Sequence, residues 1–501
     1  MSIMQRGTIT NHSTYISIQP FEDYTSEKSF HPLLKRLSLW DKVSHQYTFH
    51  MYDFNEETKE LRIPAGIPRD LLIKYLVTNP SNTVEYEFCN DIRIPRNFSP
   101  RYSMLVEPRS NIQVRALDFL RQQNIPQRFL SLDTGDGKTF CVVSYAVRTG
   151  QIPAIFVSSL KLLDQWKEKI LEYTDIPEDE ILLVADGNID KIDFTKNYQF
   201  LLFSHRTVGR YLDSKEDNDL ESLLNKLHYT MKVFDEAHLD MDSIARIDRE
   251  TSLSSLYVTA TPLRSNRDED LLYQRIYQTV PKFTSRNNSI EDQTEKYHNV
   301  VIVKFNSKPS MEFQIDFQKK SSRRGFNVPV YTNYIMEEDN FSQYVNIIYQ
   351  ILYNLILNKG SARRKTVILV KNIKLLDELL EQTKKNLAKD SLGEAYKLTR
   401  FHSKVPTTEK EVALDGDIIF STDSSLSTAI DIANLQAVIS LIPTSSETLT
   451  SQMLGRLRNN GEPVYYFDLV DTGFDDCKKQ LTRRKSKVYS RKAKTLREIT
   501  L

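Results

Sequence analysis

From Val106 onward the chain alternates short apolar runs, each ending in polar residues, with longer amphipathic ones. "RFLSLDT" leads into "GKTFCVVSYAVRTG", and "AIFVSS" leads into "LKLLDQWKEKILEYT". "QFLLFS", "MKVFDEAH" and "SLYVTATP" are further short apolar runs with polar ends. A strand buried on both faces reads as a continuous apolar run, and a crossover helix carries the chain back to start a parallel neighbour. The alternation therefore predicts an α/β fold with a parallel sheet. It also puts polar residues at the carboxyl ends of the strands, where such folds bind ligands. A more polar, less regular stretch from about 266 to 345 is expected to join two halves. The pattern then resumes with "KTVILV" before "NIKLLDELLEQTKKNL", followed by "GDIIFST", "AVISLI" and "PVYYFDLV". A second α/β domain is expected, its regular part from roughly 345 to 475.

A chain of 501 residues is too long for one core. The expected organisation is an N-terminal accessory module over 1–105, with substrate recognition as its role. Two α/β domains over 106–295 and 296–477 follow, then a basic tail over 478–501. Within the module, "QYTFHMYDF" and "KELRIPAGI" read as a hairpin across "NEET", and "PRDLLIKYLV" as a helix with Asp70 in its first turn. The tail, "CKKQLTRRKSKVYSRKAKTLREITL" from Cys477, is opposed by Glu498 alone. Such a run is ordinarily a solvated helix or a frayed end. The formal net charge is +1, so nucleic-acid binding would need local patches rather than a polycationic chain. The three cysteines, Cys89, Cys141 and Cys477, show no CxxC spacing, which argues against a zinc site or disulfide framework. No apolar run is long enough to span a bilayer, and the first residues lack a secretion signal. A cytoplasmic protein with no membrane partner is expected.

Leu132 to Phe140 reads "LDTGDGKTF". A strand candidate precedes it and a helical run follows, the setting a phosphate loop needs. Gly135 and Gly137 let the backbone approach phosphate oxygens with no Cβ in the way, and amides at the start of the helix then face the anion. The chain has only 14 glycines, so two at one strand–helix junction argue against a chance turn. In such a loop Lys138 would contact the β- and γ-phosphates and Thr139 would hold Mg2+. Leu132 stands where the common spelling has its first glycine, and Asp136 puts a carboxylate beside the phosphates. "MKVFDEAH" ends an apolar run in Asp235, Glu236, Ala237 and His238. The first acid can hold Mg2+ and the second can polarise the attacking water. "SLYVTATPLR" puts Thr259, Thr261 and Arg264 at another strand end, where hydroxyls can link a nucleotide site to a second surface.

DGKT, DEAH and TAT in this order resemble the superfamily 2 helicases and translocases. The resemblance covers roughly residues 106–475. It implies two tandem RecA-like domains, ATP and Mg2+ as cofactors, and DNA, single-stranded or branched, as partner. Asp133, Thr134, Gly135, Asp136, Gly137, Lys138 and Thr139 would then cradle the nucleotide. Thr139 and Asp235 would hold the metal, and Glu236 and His238 would act in catalysis. "NIQVRALDFL" resembles the adenine-proximal segment and contributes Gln113. "IFVSSLKLLDQWKEKI" is similar to the motif that touches the nucleic-acid backbone, with Ser158, Lys161, Gln165 and Trp166 at its polar and aromatic positions. "LLFSHRTV" resembles a later backbone-contacting strand end, with Ser204 and Thr207. "TVILVKNIKLLDEL" looks like the fourth motif. "DIIFSTDSSLSTAIDIANLQAVI" looks like the fifth, with Thr422 and Asp431, and with Ala429 where glycine is common. "QMLGRLRNNG" resembles the sixth, with Gln452, Arg456 and Arg458. Its second arginine lies two residues after the first, where the family commonly has three. An arginine delivered from a second domain would stabilise the charge that builds on a transferring phosphoryl group. Closure on ATP and release on hydrolysis would move the protein along a strand.

The compact second domain, the β-rich N-terminal module and the basic C-terminal segment together resemble phage and viral helicases, the UvsW type above all. That type implies unwinding of branched DNA and of R-loops containing RNA, and branch migration, during replication, recombination or repair in the host cytoplasm. No nuclease or methyltransferase insertion is visible, which argues against a restriction-enzyme motor subunit. Three other readings stay open. One is a duplex translocase or transcription-release factor that hydrolyses ATP without separating strands. Another is an RNA helicase. The third is a nucleic-acid-binding scaffold in which Asp136 repels ATP.

Overall fold

Apolar residues at every second position build the N-terminal strands. The computed structural model describes residues 5–22, 31–41, 44–78, 84–94, 97–133, 135–185, 188–214, 219–260, 267–285, 296–322, 326–357, 364–392, 395–427, 432–457 and 461–501. The first strands are β1 (Gln5–His12), β2 (Tyr15–Gln19), β3 (Ser38–Asp41), β4 (Gln46–His50), β5 (Asp53–Asn55), β6 (Glu60–Pro64) and β7 (Val84–Asp91). Five of them form a sheet in the order β5-β6-β2-β1-β7, and β3 pairs with β4 in a separate ribbon. The expected hairpin is present in shortened form as β5 and β6. "QYTFHMYDF" divides because Met51 is fully buried and its N–H donates to Leu37 O at 2.8 Å, which sends the two halves to different partners. "PRDLLIKYLV" forms a helix over Arg69–Leu72, capped by Pro68, that widens to a π-turn over Ile73–Val77.

The chain folds as two compact units, 1–292 and 293–501. The first contains β8 (Gln127–Ser131), β9 (Pro153–Val157), β10 (Ile181–Val184), β11 (Phe200–Ser204), β12 (Met231–Phe234), β13 (Ser255–Thr259) and β14 (Lys282–Thr284). These form a parallel sheet in the order β10-β11-β9-β12-β13-β8-β14. The N-terminal module is not set apart from it. Ile18, Leu61, Ile63 and Leu72 share one core with Phe129, Tyr257 and Tyr277 of the sheet layer. Gly66 lies so close to the chain after Arg275 that a Cβ there would sit 2.2 Å from Ile276 O. Beneath the sheet, the fully buried Lys232 Nζ pairs with Asp248 Oδ1 at 3.0 Å and donates to Thr251 Oγ1 at 2.6 Å. Thr14 of the module lies 2.8 Å and 2.9 Å from the Asp248 and Thr251 carbonyls, so it joins the same polar cluster.

The second unit contains β15 (His298–Phe305), β16 (Lys365–Val370), β17 (Leu398–Phe401), β18 (Ile418–Thr422), β19 (Leu435–Ser440), β20 (Val464–Asp471) and β21 (Ala493–Thr500). Its parallel sheet runs β17-β18-β16-β19-β20-β15-β21. With strands numbered from one within each seven-stranded sheet, both read 3-4-2-5-6-1-7. Two tandem RecA-like sheets are thus built on one strand order. Two expectations change here. The stretch 266–345 contains β15, an interior strand between β20 and β21, so it is part of the second sheet and not merely a joint. The basic segment 478–501 is ordered as well. It continues the helix Asp475–Arg484 and returns as the edge strand β21 on β15. Arg484 carries that return. It is 3% exposed and makes a bidentate contact with buried Asp468 of β20, Nε to Oδ2 and Nη2 to Oδ1, each at 3.0 Å. Among the described residues no helix is long and apolar enough to cross a membrane.

Candidate active site

The loop "LDTGDGKTF" follows β8. The ladder runs one residue beyond that strand, because Leu132 N–H donates to Thr259 O at 3.2 Å and the Leu132 side chain is fully buried. A leucine suits a position that is still extended and in the core, which accounts for the missing first glycine. The turn begins at Asp133, whose carbonyl accepts from Asp136 N–H at 3.1 Å. Gly135 and Gly137 adopt left-handed φ values of 98° and 87°, which side chains with a Cβ rarely tolerate. Gly137 then caps the helix Lys138–Thr149, so Lys138 and Thr139 occupy its first turn. A Cβ on Gly137 would also lie 2.2 Å from Gln113 Nε2. Gln113 is 1% exposed, donates to Asp136 O at 2.9 Å and accepts from Arg109 N–H at 2.8 Å. It props the loop in addition to any contact with a base.

Arg109, which no motif pointed to, donates its guanidinium to Gly135 O. Burial pushes the neighbouring Cys141 thiol up to about 12. Asp136 acts in the same direction and Arg109 in the opposite one.

The two acids of DEAH end β12 two strands away, at the same carboxyl edge. Asp235 is 8% exposed. Its Oδ1 accepts from Glu236 N–H and its Oδ2 from the indole N–H of Trp166, both at 2.9 Å. Burial, then the charge of Glu236, pushes its carboxyl up to about 6, and Lys138 and Trp166 pull the other way. Lys138 and Asp235 are thus brought together electrostatically. Glu236 sits at φ 49°, a strained value for a residue with a Cβ, in a turn closed by Leu239 N–H to Glu236 O at 2.8 Å. Its Oε2 is buried, lies 3.3 Å from His238 Nδ1, and makes no hydrogen bond. His238 Nδ1 is 2.8 Å from Thr259 Oγ1, which joins the acid turn to the end of β13.

The remaining candidates are spread over neighbouring strand ends. Ser158 is exposed after β9, and Lys161 and Gln165 lie on the helix Leu160–Tyr173. Trp166 of that helix points inward and is 2% exposed. Ser204 and Thr207 meet at 3.3 Å between hydroxyls and are both buried, so they begin the helix His205–Ser214 instead of lying on its surface. In the second unit, Thr422 ends β18, is buried, and bonds Ser425 Oγ at 2.8 Å. Gln452 and Arg456 line one small cleft with Asp423, whose carboxylate is paired to Lys371. Thr134, Thr261, Arg264, Asp431 and Arg458 lie outside the described residues, as does Ala429.

Residues 106–264 match the family described as type III restriction enzyme, res subunit. No curated protein matches the chain. Among solved structures, S. cerevisiae Dbp5 bound to RNA and ADP BeF3 is 15% identical with a TM-score of 0.51, over 78% of this chain and 90% of that one. The Pyrococcus furiosus Hef helicase domain is 12% identical with a TM-score of 0.46, over 75% and 98% respectively. T4 UvsW is 15% identical with a TM-score of 0.37, over 99% and 100%. At these identities the likeness to Dbp5 concerns the fold alone, and the two looser overlaps add nothing to it.

Proposed function

We propose that this chain, built on a superfamily 2 helicase-type motor fold, is an ATP-driven motor that acts on DNA, with branched DNA as its preferred substrate. One observation carries the ATP-driven part of this reading, and the choice of DNA, branched DNA above all, follows the motif resemblance alone. A glycine loop with Lys138 and Thr139, the acids Asp235 and Glu236, and the His238–Thr259 pair all meet at the carboxyl edge of one parallel sheet. Chance gives one such feature readily, but not the set in motif order.

The residues fit a magnesium nucleotide. Mg2+ takes one or two protein oxygens and completes its shell from phosphates and water. Asp235 offers one carboxylate, Thr139 one hydroxyl, and no group of three His, Cys, Asp or Glu side chains placed to hold a metal ion by themselves occurs among the described residues. Bound there, Mg2+ would neutralise charge on the phosphates. Lys138 binds the β- and γ-phosphates, and the amides that begin its helix face the anion. Glu236, whose Oε2 lacks a donor, orients a water and accepts its proton as the water oxygen bonds the γ-phosphorus. The bond from that phosphorus to the bridging oxygen breaks, giving ADP and phosphate. Gln452, Arg456 and Arg458 are assigned to catalysis and Asp431 to nucleotide binding, as the motif resemblance implies. Ser158, Lys161, Gln165, Thr261 and Arg264 are assigned to backbone contact, and the buried Ser204, Thr207 and Thr422 to coupling. Such contact follows phosphates and reads little sequence.

The test is the ATPase rate with no polymer, single-stranded DNA, duplex DNA, a four-way junction and RNA, with Lys138→Ala as control. Highest stimulation on the junction, lost in the variant, supports the reading. Highest rates on duplex without strand separation indicate a duplex translocase, and on RNA an RNA helicase. Absence of hydrolysis throughout makes the chain a scaffold, with Asp136 as the reason.

A further inference from the structure

The chain has two tryptophans, and they sit in opposite surroundings. Trp40, on β3, is 48% exposed. Trp166 is buried on the inner face of the helix Leu160–Tyr173, and its indole N–H donates to Asp235 Oδ2 at 2.9 Å. Packing alone does not call for an indole there, since a phenylalanine or leucine fills an apolar space without adding a polar N–H that must be satisfied. The bond also matters to its acceptor. With Oδ1 held by the Glu236 N–H and Oδ2 by the indole, the plane of the carboxylate is set by two donors on different elements. One donor belongs to the acid's own turn. The other belongs to a helix whose outer face carries exposed Lys161, and which follows exposed Ser158. A helix this short moves as one body, and a hydrogen bond weakens steeply as its angle opens. A strand that shifts this helix therefore changes the aim of Asp235.

We infer that Trp166 is a positioning residue: it holds Asp235 in place for the metal and transmits nucleic-acid contact on the helix Leu160–Tyr173 to that acid. This rests on the reading of Asp235 as a metal acid given above. It moves Trp166 from the nucleic-acid surface, where its motif position suggested it, to the hinge between that surface and the nucleotide site.

The experiment uses Trp40→Phe protein, in which Trp166 is the only indole, so that its emission reports on the bond directly. Addition of ADP with Mg2+ is expected to change the emission, and addition of a single-stranded oligonucleotide to change it again. An oligonucleotide that binds, by anisotropy of its own label, yet leaves the Trp166 signal unmoved would overturn the link. A second arm measures ADP affinity by calorimetry with and without Mg2+. Removing an outer partner of a metal ligand costs roughly tenfold or more in metal affinity. Trp166→Phe should therefore lose roughly tenfold of the gain that Mg2+ gives, with Mg2+-free affinity unchanged. Trp166→His, which keeps a ring N–H, should recover part of it. Asp235→Asn separates the two claims. If it abolishes the Mg2+ gain while Trp166→Phe does not, the positioning role fails and the metal acid stands. If Asp235→Asn leaves the gain intact, the metal assignment fails and the inference goes with it. The spectroscopic arm retains Trp166 itself and so does not depend on how well its variants fold.

Discussion

The two seven-stranded sheets share one strand order, yet the loops after their first strands differ in what they surround. In the first unit the chain leaves β8 through two left-handed glycines and presents Lys138 and the amides of a helix start. In the second it leaves β15 through "NSKPS", with no glycine, and closes on a carboxylate of its own. Asp471, at the end of β20, is 1% exposed. It accepts from Ser307 N–H at 3.2 Å, Gly473 N–H at 2.9 Å and Ser307 Oγ at 2.5 Å. Burial pushes its carboxyl up and these donors pull it back. The residue at the corresponding place in the first sheet is Thr259, which carries no charge and faces His238. The same scaffold thus supplies one loop open to an outside anion and one that has an internal anion. The difference lies in a few loop residues, not in the sheet.

Four measurements would break or sharpen that contrast. The largest effect is on catalysis. Lys138→Ala should lower the ATPase rate by about 10²–10³-fold or more, as loss of one charge-stabilising donor does. Lys308→Ala, in the second loop, should leave the rate unchanged. Equal losses would show that both loops serve a nucleotide.

Next come the buried ion pairs. Arg484→Met leaves Asp468 buried with Tyr489 as its remaining side-chain donor, and should cost about 3–5 kcal/mol in urea unfolding of the second unit. Lys232→Met leaves Asp248 with two, Ser255 and Tyr257, so the first unit should lose less. The reverse order would show that donor count is not what holds these charges.

Asp471→Ala strips the acceptor from two backbone N–H groups and should cost about 1–3 kcal/mol. Inorganic phosphate should restore part of that loss, and a variant indifferent to phosphate would end the analogy between the loops.

The last contrast is one of pH. Burial lowers His205 in the first unit and His298 in the second to about 4. The unfolded chain, with ordinary imidazoles near 6.5, takes up protons first as pH falls. Stability is therefore full above about 6.5 and declines towards pH 4, by up to about 1.4 kcal/mol per pH unit for each histidine. The two should separate on mutation. His298 holds Leu454 O at 2.9 Å, so His298→Phe destabilises. His205 lies among Phe156 and Phe234 with neither ring nitrogen bonded, so His205→Phe stabilises and flattens the acid slope. Chemical unfolding at pH 7 and pH 5 distinguishes them.

The strands legible in advance were those buried on both faces. β8, β9, β11, β12, β13, β16, β18, β19 and β20 all appear as short apolar runs, and the glycine loop and the acid turn stand at the ends of two of them. β15, "NVVIVKF", is as apolar as its neighbours, but polar segments flank it and its partner β20 lies far along the chain, so local spacing does not mark it as part of the second sheet. β21 carries no continuous apolar run. Seven of its eight residues are exposed, and what holds it is pairing to β15 and the Arg484–Asp468 contact that turns the chain back.

The sequence by itself determined the α/β class, the two halves, and the residue types at the loop and acid turn, because those depend on local periodicity and on which chemistry a side chain can perform. It also contained the basic C-terminal run and the N-terminal strands, without saying where either would dock. Only the tertiary structure decided that Gln113 props the loop, that Trp166 bonds Asp235, and that the N-terminal module shares the first core. It likewise decided that the basic run supplies a seventh strand equivalent to β14. Each of these depends on a pairing between distant residues, and a pairing of that kind leaves no mark on the local spacing of either partner.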